Sequence, residues 1–186
     1  MAIEEAEYMV IQSAGAFELR EYKPYVLAET IIEGNQEDAS SRAFRILFNY
    51  ITGENKTNTK VAMTAPVSQE AVSEKIAMTA PVSMEQVEDK RAVSFMMPQN
   101  FTLSTLPTPR DSRVHLREVS GRKVAVIRYS GFWTEKSYTA HRLKLEEWIE
   151  HQKFQASGPA IWARFNAPYT PWFLRRNEVQ IPITDK

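Results

Sequence analysis

The chain of 186 residues contains no cysteine, and this absence excludes disulfide bonds, thiolate metal sites and a cysteine nucleophile. An excess of charge of one sign is missing too, because 23 basic side chains balance 23 acidic ones. A balanced chain gives no bulk electrostatic reason to expect nucleic acid or an anionic membrane as a partner.

Targeting segments and catalytic motifs are also missing from the sequence. No apolar run reaches membrane-spanning length, and the start, MAIEEAEYMV, has early glutamates instead of the apolar core of a secretory signal. There is no Gly-rich phosphate loop, no HExxH, no GxSxG and no pair of histidines at metal-binding spacing. The sequence therefore predicts a cytoplasmic protein that is not an enzyme, with no membrane span and no metal site.

An internal repeat organises the chain. The segment Phe17–Glu21, FELRE, resembles Val114–Glu118, VHLRE, and similar matches continue through each half. At this length the chain is most simply one domain, spanning residues 1–186. We predict two pseudo-repeat halves at about 7–104 and 112–184, with residues 105–111, TLPTPRD, as the linker.

Each half is predicted to run strand, strand, helix, strand, strand. Tyr25–Ile32 and Lys123–Tyr129 are rich in β-branched and aliphatic residues, whereas Ser41–Ile51 and Tyr138–Trp148 have helical periodicity. Two such units predict an α+β fold, with a distorted antiparallel β-barrel or curved sheet and a helix against each half.

One stripe of each helix is expected to pack on the sheet. In the first helix the predicted stripe consists of Phe44, Leu47, Phe48 and Ile51. In the second it consists of Tyr138, His141, Leu145, Trp148 and Ile149.

A short duplication carries the most specific motif. KVAMTAPVS at Lys60–Ser68 is repeated as KIAMTAPVS at Lys75–Ser83. Each copy alternates apolar and small residues and stops at a proline, which predicts two short neighbouring strands ending at a turn. The alternative is that Met63 and Met78 lie beside a flat apolar ligand, which a flexible, polarizable thioether suits.

A family resemblance rests on the order of several motifs. FELREYKPYVLAET, an aromatic helix, GENKTNTKVAMTAPV, VSFMMP and RFNAPYTPWFLRRNEV together resemble the SOUL haem-binding protein family over roughly Tyr8 to Ile183. The resemblance implies a distorted barrel flanked by two helices, with a duplicated core shared with gyrase-inhibitor-like effector-binding domains. It also implies binding of haem or another porphyrin near the first helix and the loop after it.

The expected ligand is therefore haem, bound through an apolar floor and a basic rim by a carrier or buffer. The floor would be formed by Phe44, Phe48 and Met63, and cations for the propionates would come from Arg42, Arg45 and Lys60.

His141 is a candidate iron ligand, and the alternative is a half-buried histidine whose ring is hydrogen-bonded by a neighbour. His115 and His151 are expected to be solvated. Of Met96 and Met97, at least one is expected in the core.

Two other functions remain open from the sequence. One is a small-molecule effector-binding or hydrolase domain that uses the groove between the pseudo-repeats, with Glu178 or Glu118 as the central carboxylate. The other is an interaction module that recruits an unidentified protein partner through the basic face of the first helix.

Overall fold

A computed structural model of the chain describes residues 3–33, 36–57 and 73–185, the side chains of residues 36–39 excepted. The strands are β1 (Tyr8–Ala14), β2 (Phe17–Tyr22), β3 (Tyr25–Ile32), β4 (Asn55–Lys56), β5 (Val82–Val87), β6 (Lys90–Met96), β7 (Thr108–Pro109), β8 (His115–Val119), β9 (Arg122–Tyr129), β10 (Phe154–Ala156), β11 (Ile161–Arg164) and β12 (Asn177–Asp185). The helices are α1 (Gln36–Thr52) and α2 (Glu135–His151), with a 3₁₀ turn at Trp172–Leu174.

Ten strands form one curved antiparallel sheet in the order β1-β2-β9-β12-β11-β5-β6-β3-β8, with β10 paired to β12. The fold is therefore α+β with two helices, as predicted. The barrel alternative is wrong, because β1 and β8 are the two ends and no pairing between described strands joins them. β4 and β7 form a separate two-stranded sheet.

The strand order reads symmetrically about the pairing of β5 with β11. On one side β9 pairs with β2, and on the other β3 pairs with β8, so each half of the chain supplies an outer strand to the opposite half. Two equivalent units would give such an order. The pseudo-repeat boundaries and the linker stay predictions.

Both helices cover the same face of the sheet. Ser40 of α1 contacts Met84 of β5, which lies directly opposite Trp162 of β11. Trp162 in turn stacks on Tyr138 of α2. Residues directly opposite each other on paired strands project to the same side of a sheet, so Met84 and Trp162 place both helices on one side. Successive residues of a strand alternate between the two sides, and the other set faces away from both helices. We call that side the helix-free face.

The buried stripe of α1 differs from the predicted one. Leu47 and Ile51 are buried, as expected, and they share the stripe with Ala43, Ile46 and Tyr50. Phe44 and Phe48 are 38% and 43% exposed, so their placement in the core was wrong. Each follows a buried residue by one position, which turns it about 100° around the helix.

The predicted stripe of α2 agrees better with the structure. Leu145 and Ile149 are buried against β2, β9 and β12, and Tyr138 and Trp148 are partly buried against the same core. Thr134 caps the helix by accepting a hydrogen bond from the Ser137 amide at 3.2 Å. No helix within the described ranges is long and apolar enough to cross a membrane.

The second AMTAPV copy is not a strand that ends at its proline. Residues 73–78 have no regular secondary structure, and β5 begins at Val82, after Pro81. Separate contacts hold this segment: the Ile76 amide donates to the Ile51 carbonyl, and the Thr79 hydroxyl donates to the Met96 carbonyl. The first copy lies outside the described residues.

Candidate ligand-binding site

An exposed aromatic pair lies on α1. The rings of Phe44 and Phe48 are stacked, with centroids 5.8 Å apart and planes 14° from parallel. Phe44 also meets the buried Phe95 of β6 edge-on at 5.3 Å, which anchors the pair to the core. The pair therefore presents a supported apolar surface to the outside.

Arg42 and Arg45 are both exposed on α1. Arg45 precedes Phe48 by three positions and is its neighbour on the helix surface, whereas Arg42 precedes Phe44 by two positions and lies about 160° around the helix from it. Arg42 donates one hydrogen bond at 2.7 Å to the Glu33 carbonyl. Arg45 has no hydrogen-bond or ion-pair partner among the residues described here. Both guanidinium groups remain positively charged, and Arg45 gives the aromatic surface a basic border.

Asn55, just after α1, and Glu74, further along the chain, are both bound at the end of α1. Asn55, which is fully buried, donates to the carbonyls of Tyr50 at 2.7 Å and of Glu74 at 2.8 Å. Its side-chain oxygen accepts from the Glu74 amide at 2.9 Å. This side-chain amide therefore ties Asn55 and Glu74 to the end of α1. Lys60 and Met63 lie outside the described residues.

His141 lies on the other helix. Its Nδ1 is 2.7 Å from the Ser137 carbonyl, and its ring stacks on Tyr129 of β9 at 3.8 Å. As the donor to that carbonyl, Nδ1 leaves Nε2 as the acceptor in the neutral ring. β9 is four strands from β6, on which Phe44 rests, and this separation corresponds to roughly 19 Å along the sheet. The structure therefore does not bring His141 to the aromatic pair.

The remaining histidines and methionines fit their expected positions. His115 is exposed on β8, and His151 is exposed in the last turn of α2. Met96 and Met97 are both buried, in clusters on opposite faces of the sheet. Met78, from the second AMTAPV copy, is 37% exposed. The described side chains include no group of three or more His, Asp or Glu residues that could hold a metal ion.

The helix-free face contains a buried charge network centred on Glu178. Arg20 donates to both oxygens of the Glu178 carboxylate, at 2.9 and 3.0 Å, and Arg176 and Gln180 donate to it at 3.0 and 2.8 Å. Burial opposes ionisation of Glu178, but the hydrogen bonds and charge of Arg20, followed by the charge of Arg176, lower its pKa below the ordinary value. This carboxylate is interior, as expected, but its hydrogen-bonding capacity is already used.

A small cavity of about 40 Å³ lies beside this network. Its walls include Tyr8, Tyr22 and Tyr25, and the N-terminal segment contributes Glu5 and Ala6. The carboxylate of Glu85 also lines it, and burial raises the pKa of that group, opposed by the charge of Arg117.

The other carboxylates considered from the sequence are placed differently. Glu118 and Glu21 are exposed.

Sequence reasoning missed Arg20 and Glu85, although one signal was present. Alternation along FELREY of β2 places Glu18, Arg20 and Tyr22 on one face of the sheet. Arg20 would not be buried if that face were exposed to solvent.

Comparisons with known proteins agree on family and fold. The family model "SOUL heme-binding protein" matches residues 3–74 and 68–182, and each matched segment contains one AMTAPV copy. Heme-binding protein 1 of Mus musculus is 28% identical over 144 residues, which cover 77% of this chain and 70% of the mouse protein.

Solved structures of low identity share the fold alone. The EcmrR C-terminal domain is 7% identical with a TM-score of 0.66, over 96% of this chain and 99% of that one. A hydrolase from Listeria innocua is 10% identical with a TM-score of 0.58, over 94% of each chain. SAV2435, solved with tetraphenylphosphonium bound, is 10% identical with a TM-score of 0.51, over 90% of this chain and 93% of that one.

Proposed function

The chain belongs to the SOUL heme-binding protein family, and from this premise we propose that it binds haem or another porphyrin on the exposed face of α1 and acts as an intracellular carrier or buffer. The stacked, exposed pair Phe44 and Phe48 with its arginine border carries the proposal. A porphyrin is a flat apolar ring with two carboxylates at one edge. It therefore calls for an aromatic surface with cations at the margin.

The residues fit such a ligand. Large exposed aromatic side chains bind flat rings by stacking and by removing apolar area from water. Arg45 lacks a partner among the described side chains, and Arg42 uses one donor on a carbonyl, so both have donors left for propionates. Lys60 and Met63, which lie outside the described residues, are proposed to complete the rim and the floor.

We propose that iron coordination by His141 is not required for this binding. The ring of His141 is held by Ser137 of α2 and Tyr129 of β9. Both elements are remote from the aromatic pair. Binding that rests on apolar contact and exposed ion pairs is readily reversed, since exposed ion pairs contribute little each. Ready exchange suits a carrier or buffer.

A hemin titration followed by absorbance tests this proposal. The parent is expected to saturate at one equivalent. The double variant Phe44→Ala, Phe48→Ala is expected to bind about tenfold more weakly or worse, because the apolar floor is removed. Arg45→Gln is expected to weaken binding by about two- to fivefold, and less at high salt.

Two matched variants serve as controls for that titration. Leu143→Ala removes another exposed apolar side chain, 55% exposed on α2, and is expected to leave hemin affinity unchanged. His141→Gln is expected to leave both affinity and spectrum unchanged. A parent without a saturable absorbance change would remove the haem proposal altogether. A spectrum lost only in His141→Gln would move the ligand to α2.

A second candidate function follows from the cavity on the helix-free face. We propose that this cavity, opened by displacement of Glu5 and Ala6, admits a small aromatic cation between the three tyrosines and the carboxylate of Glu85. Glu178 would not contact the ligand, because Arg20 and Arg176 already neutralise it.

N-methylpyridinium, a small aromatic cation with a single ring, is a suitable probe for this second candidate. Its binding is expected to strengthen as the pH rises through the raised pKa of Glu85, because the carboxylate then becomes charged. Glu85→Gln is expected to remove that pH dependence and to weaken binding by about five- to tenfold. Calorimetry at several pH values measures both effects. Equal affinity in the parent and in Glu85→Gln would exclude this site.

A further inference from the structure

The strongest feature outside both proposed sites is a group of exposed apolar side chains on two neighbouring loops. Phe132 follows β9, and the others belong to the loop between β11 and β12. We call them the aromatic loop patch: Phe132, Tyr169, Trp172, Phe173 and Leu174, which are between 50% and 90% exposed. Monomeric proteins rarely expose so many large apolar side chains in one place unless a partner covers them.

Ring contacts make part of the patch continuous. Phe132 stacks on Trp172 with centroids 5.3 Å apart, and Trp172 meets Phe173 at 5.6 Å. Leu174 completes the same 3₁₀ turn, and Tyr169 precedes it in the same loop. Tyr169, at 90% exposed, is the most exposed side chain of the patch.

The backbone that carries the patch is held in place. The Gly131 amide donates to the Trp172 carbonyl at 3.0 Å, which joins the two loops. Arg175 donates to the carbonyls of Thr170 at 2.8 Å and Pro168 at 2.7 Å, and its guanidinium lies over the Trp133 ring. The apolar side chains are therefore presented without an ordering step, which lowers the entropic cost of docking.

The two loops that carry the patch contain basic but no acidic side chains, although the chain as a whole is balanced. Residues 130–134 and 165–176 contain no aspartate or glutamate. Arg175 lies within the second loop, bonded to carbonyls and not to a carboxylate. Arg128, near the end of β9, is exposed and has no ion-pair partner in the described part of the chain. Arg176 is neutralised by Glu5 and Glu178 and adds little.

From these observations we propose that the aromatic loop patch docks on the surface of an anionic phospholipid bilayer. Tryptophan, tyrosine and phenylalanine favour the interfacial region between headgroups and acyl chains, and leucine favours burial below it. Basic side chains beside them are attracted to anionic headgroups. A fluid bilayer takes up exposed aromatic side chains without a preformed cavity, which a protein partner would have to supply. The proposal does not depend on haem binding.

Sedimentation with lipid vesicles tests the proposal. The parent is expected to bind vesicles that contain phosphatidylglycerol about tenfold more tightly than vesicles of phosphatidylcholine alone. The double variant Phe173→Ala, Leu174→Ala is expected to lose about tenfold or more in affinity for the anionic vesicles. Arg128→Gln is expected to lose about fivefold on anionic vesicles and nothing on phosphatidylcholine.

Leu143→Ala again provides the matched control, since it removes an equally exposed leucine from α2 and is expected to bind anionic vesicles like the parent. Thermal unfolding checks that all variants remain folded. The proposal is overturned if the parent does not sediment with anionic vesicles, if it binds both vesicle types equally, or if the double variant binds like the parent. A double variant that loses hemin affinity but keeps its vesicle affinity assigns the patch to the porphyrin instead.

Discussion

Arg20→Ala is expected to lower the free energy of unfolding by about 3–5 kcal/mol, because it leaves a buried carboxylate without its main partner. Arg20 is 1% exposed, and the Glu178 side chain that it contacts is fully buried. Arg20 also donates to Glu18 at 2.6 Å and to the Tyr22 hydroxyl at 3.0 Å, so the change removes donors from three acceptors. Chemical denaturation at neutral pH measures the loss.

The pH dependence of this loss has a definite sign. In the parent, the pKa of Glu178 is lowered, so its contribution to stability is present above the unfolded pKa and is lost as the pH falls through the folded one. Without Arg20, burial still opposes ionisation, whereas only Arg176 and Gln180 still favour it, so the pKa of Glu178 is expected to be higher than in the parent. The variant then loses less stability than the parent as Glu178 becomes protonated. The difference in stability between parent and variant is therefore expected to narrow as the pH falls.

Two further variants separate this network from an ordinary ion pair. Arg113→Ala breaks an exposed pair with Asp111 and is expected to leave the free energy of unfolding close to that of the parent. The double variant Arg20→Met, Glu178→Met removes both buried charges and is expected to be more stable than Arg20→Ala, since no carboxylate is left unpaired. A single variant that is as stable as the parent at neutral pH would contradict the buried-pair account.

The strands and helices were largely predictable because their signals are local. β3 was predicted with the bounds that it has, and β9 differs from its prediction by one residue. In each case alternating β-branched residues are bounded by proline or glycine, so the pattern needs no knowledge of the rest of the chain. Whether the sheet closes depends on pairing between distant strands, which local periodicity does not contain.

The candidate site was predictable in composition but not in orientation. Phe44, Arg45 and Phe48 lie on the exposed side of α1, whereas the sequence suggested that the two phenylalanines pack on the sheet. Whether these residues bind a ligand stays a prediction. An apolar helical stripe is wide enough that either Leu47 or Phe48 could lie at its centre. In the structure Ala43 and Tyr50 belong to the core, and this places Leu47 at the centre of the stripe. The pairing of Arg20 with Glu178 joins residues 158 positions apart, so no local pattern indicates it.

Trp162→Ala is expected to destabilise the protein by about 3–5 kcal/mol, through a cavity between the two helices. Trp162 is 2% exposed and is among the largest fully buried side chains. It stacks on Tyr138 of α2 at 5.0 Å and lies opposite Met84, which contacts α1. The indole therefore connects the cores beneath α1 and α2, and its loss weakens both. Denaturant unfolding monitored by circular dichroism measures the effect.

A tryptophan on the surface provides the matched comparison. Trp172→Ala removes the same side chain from a position that is 50% exposed and is expected to cost less than about 1 kcal/mol. Trp162→Phe keeps an aromatic ring against Tyr138, so its cost is expected to be intermediate. If Trp162→Ala unfolded at the same denaturant concentration as Trp172→Ala, the buried indole would contribute no more than an exposed one, and the cavity account would be wrong. If the expected order holds, packing at Trp162 stabilises the interface with both helices, and an effect of a change on α1 can be attributed to ligand contact only where stability is unchanged.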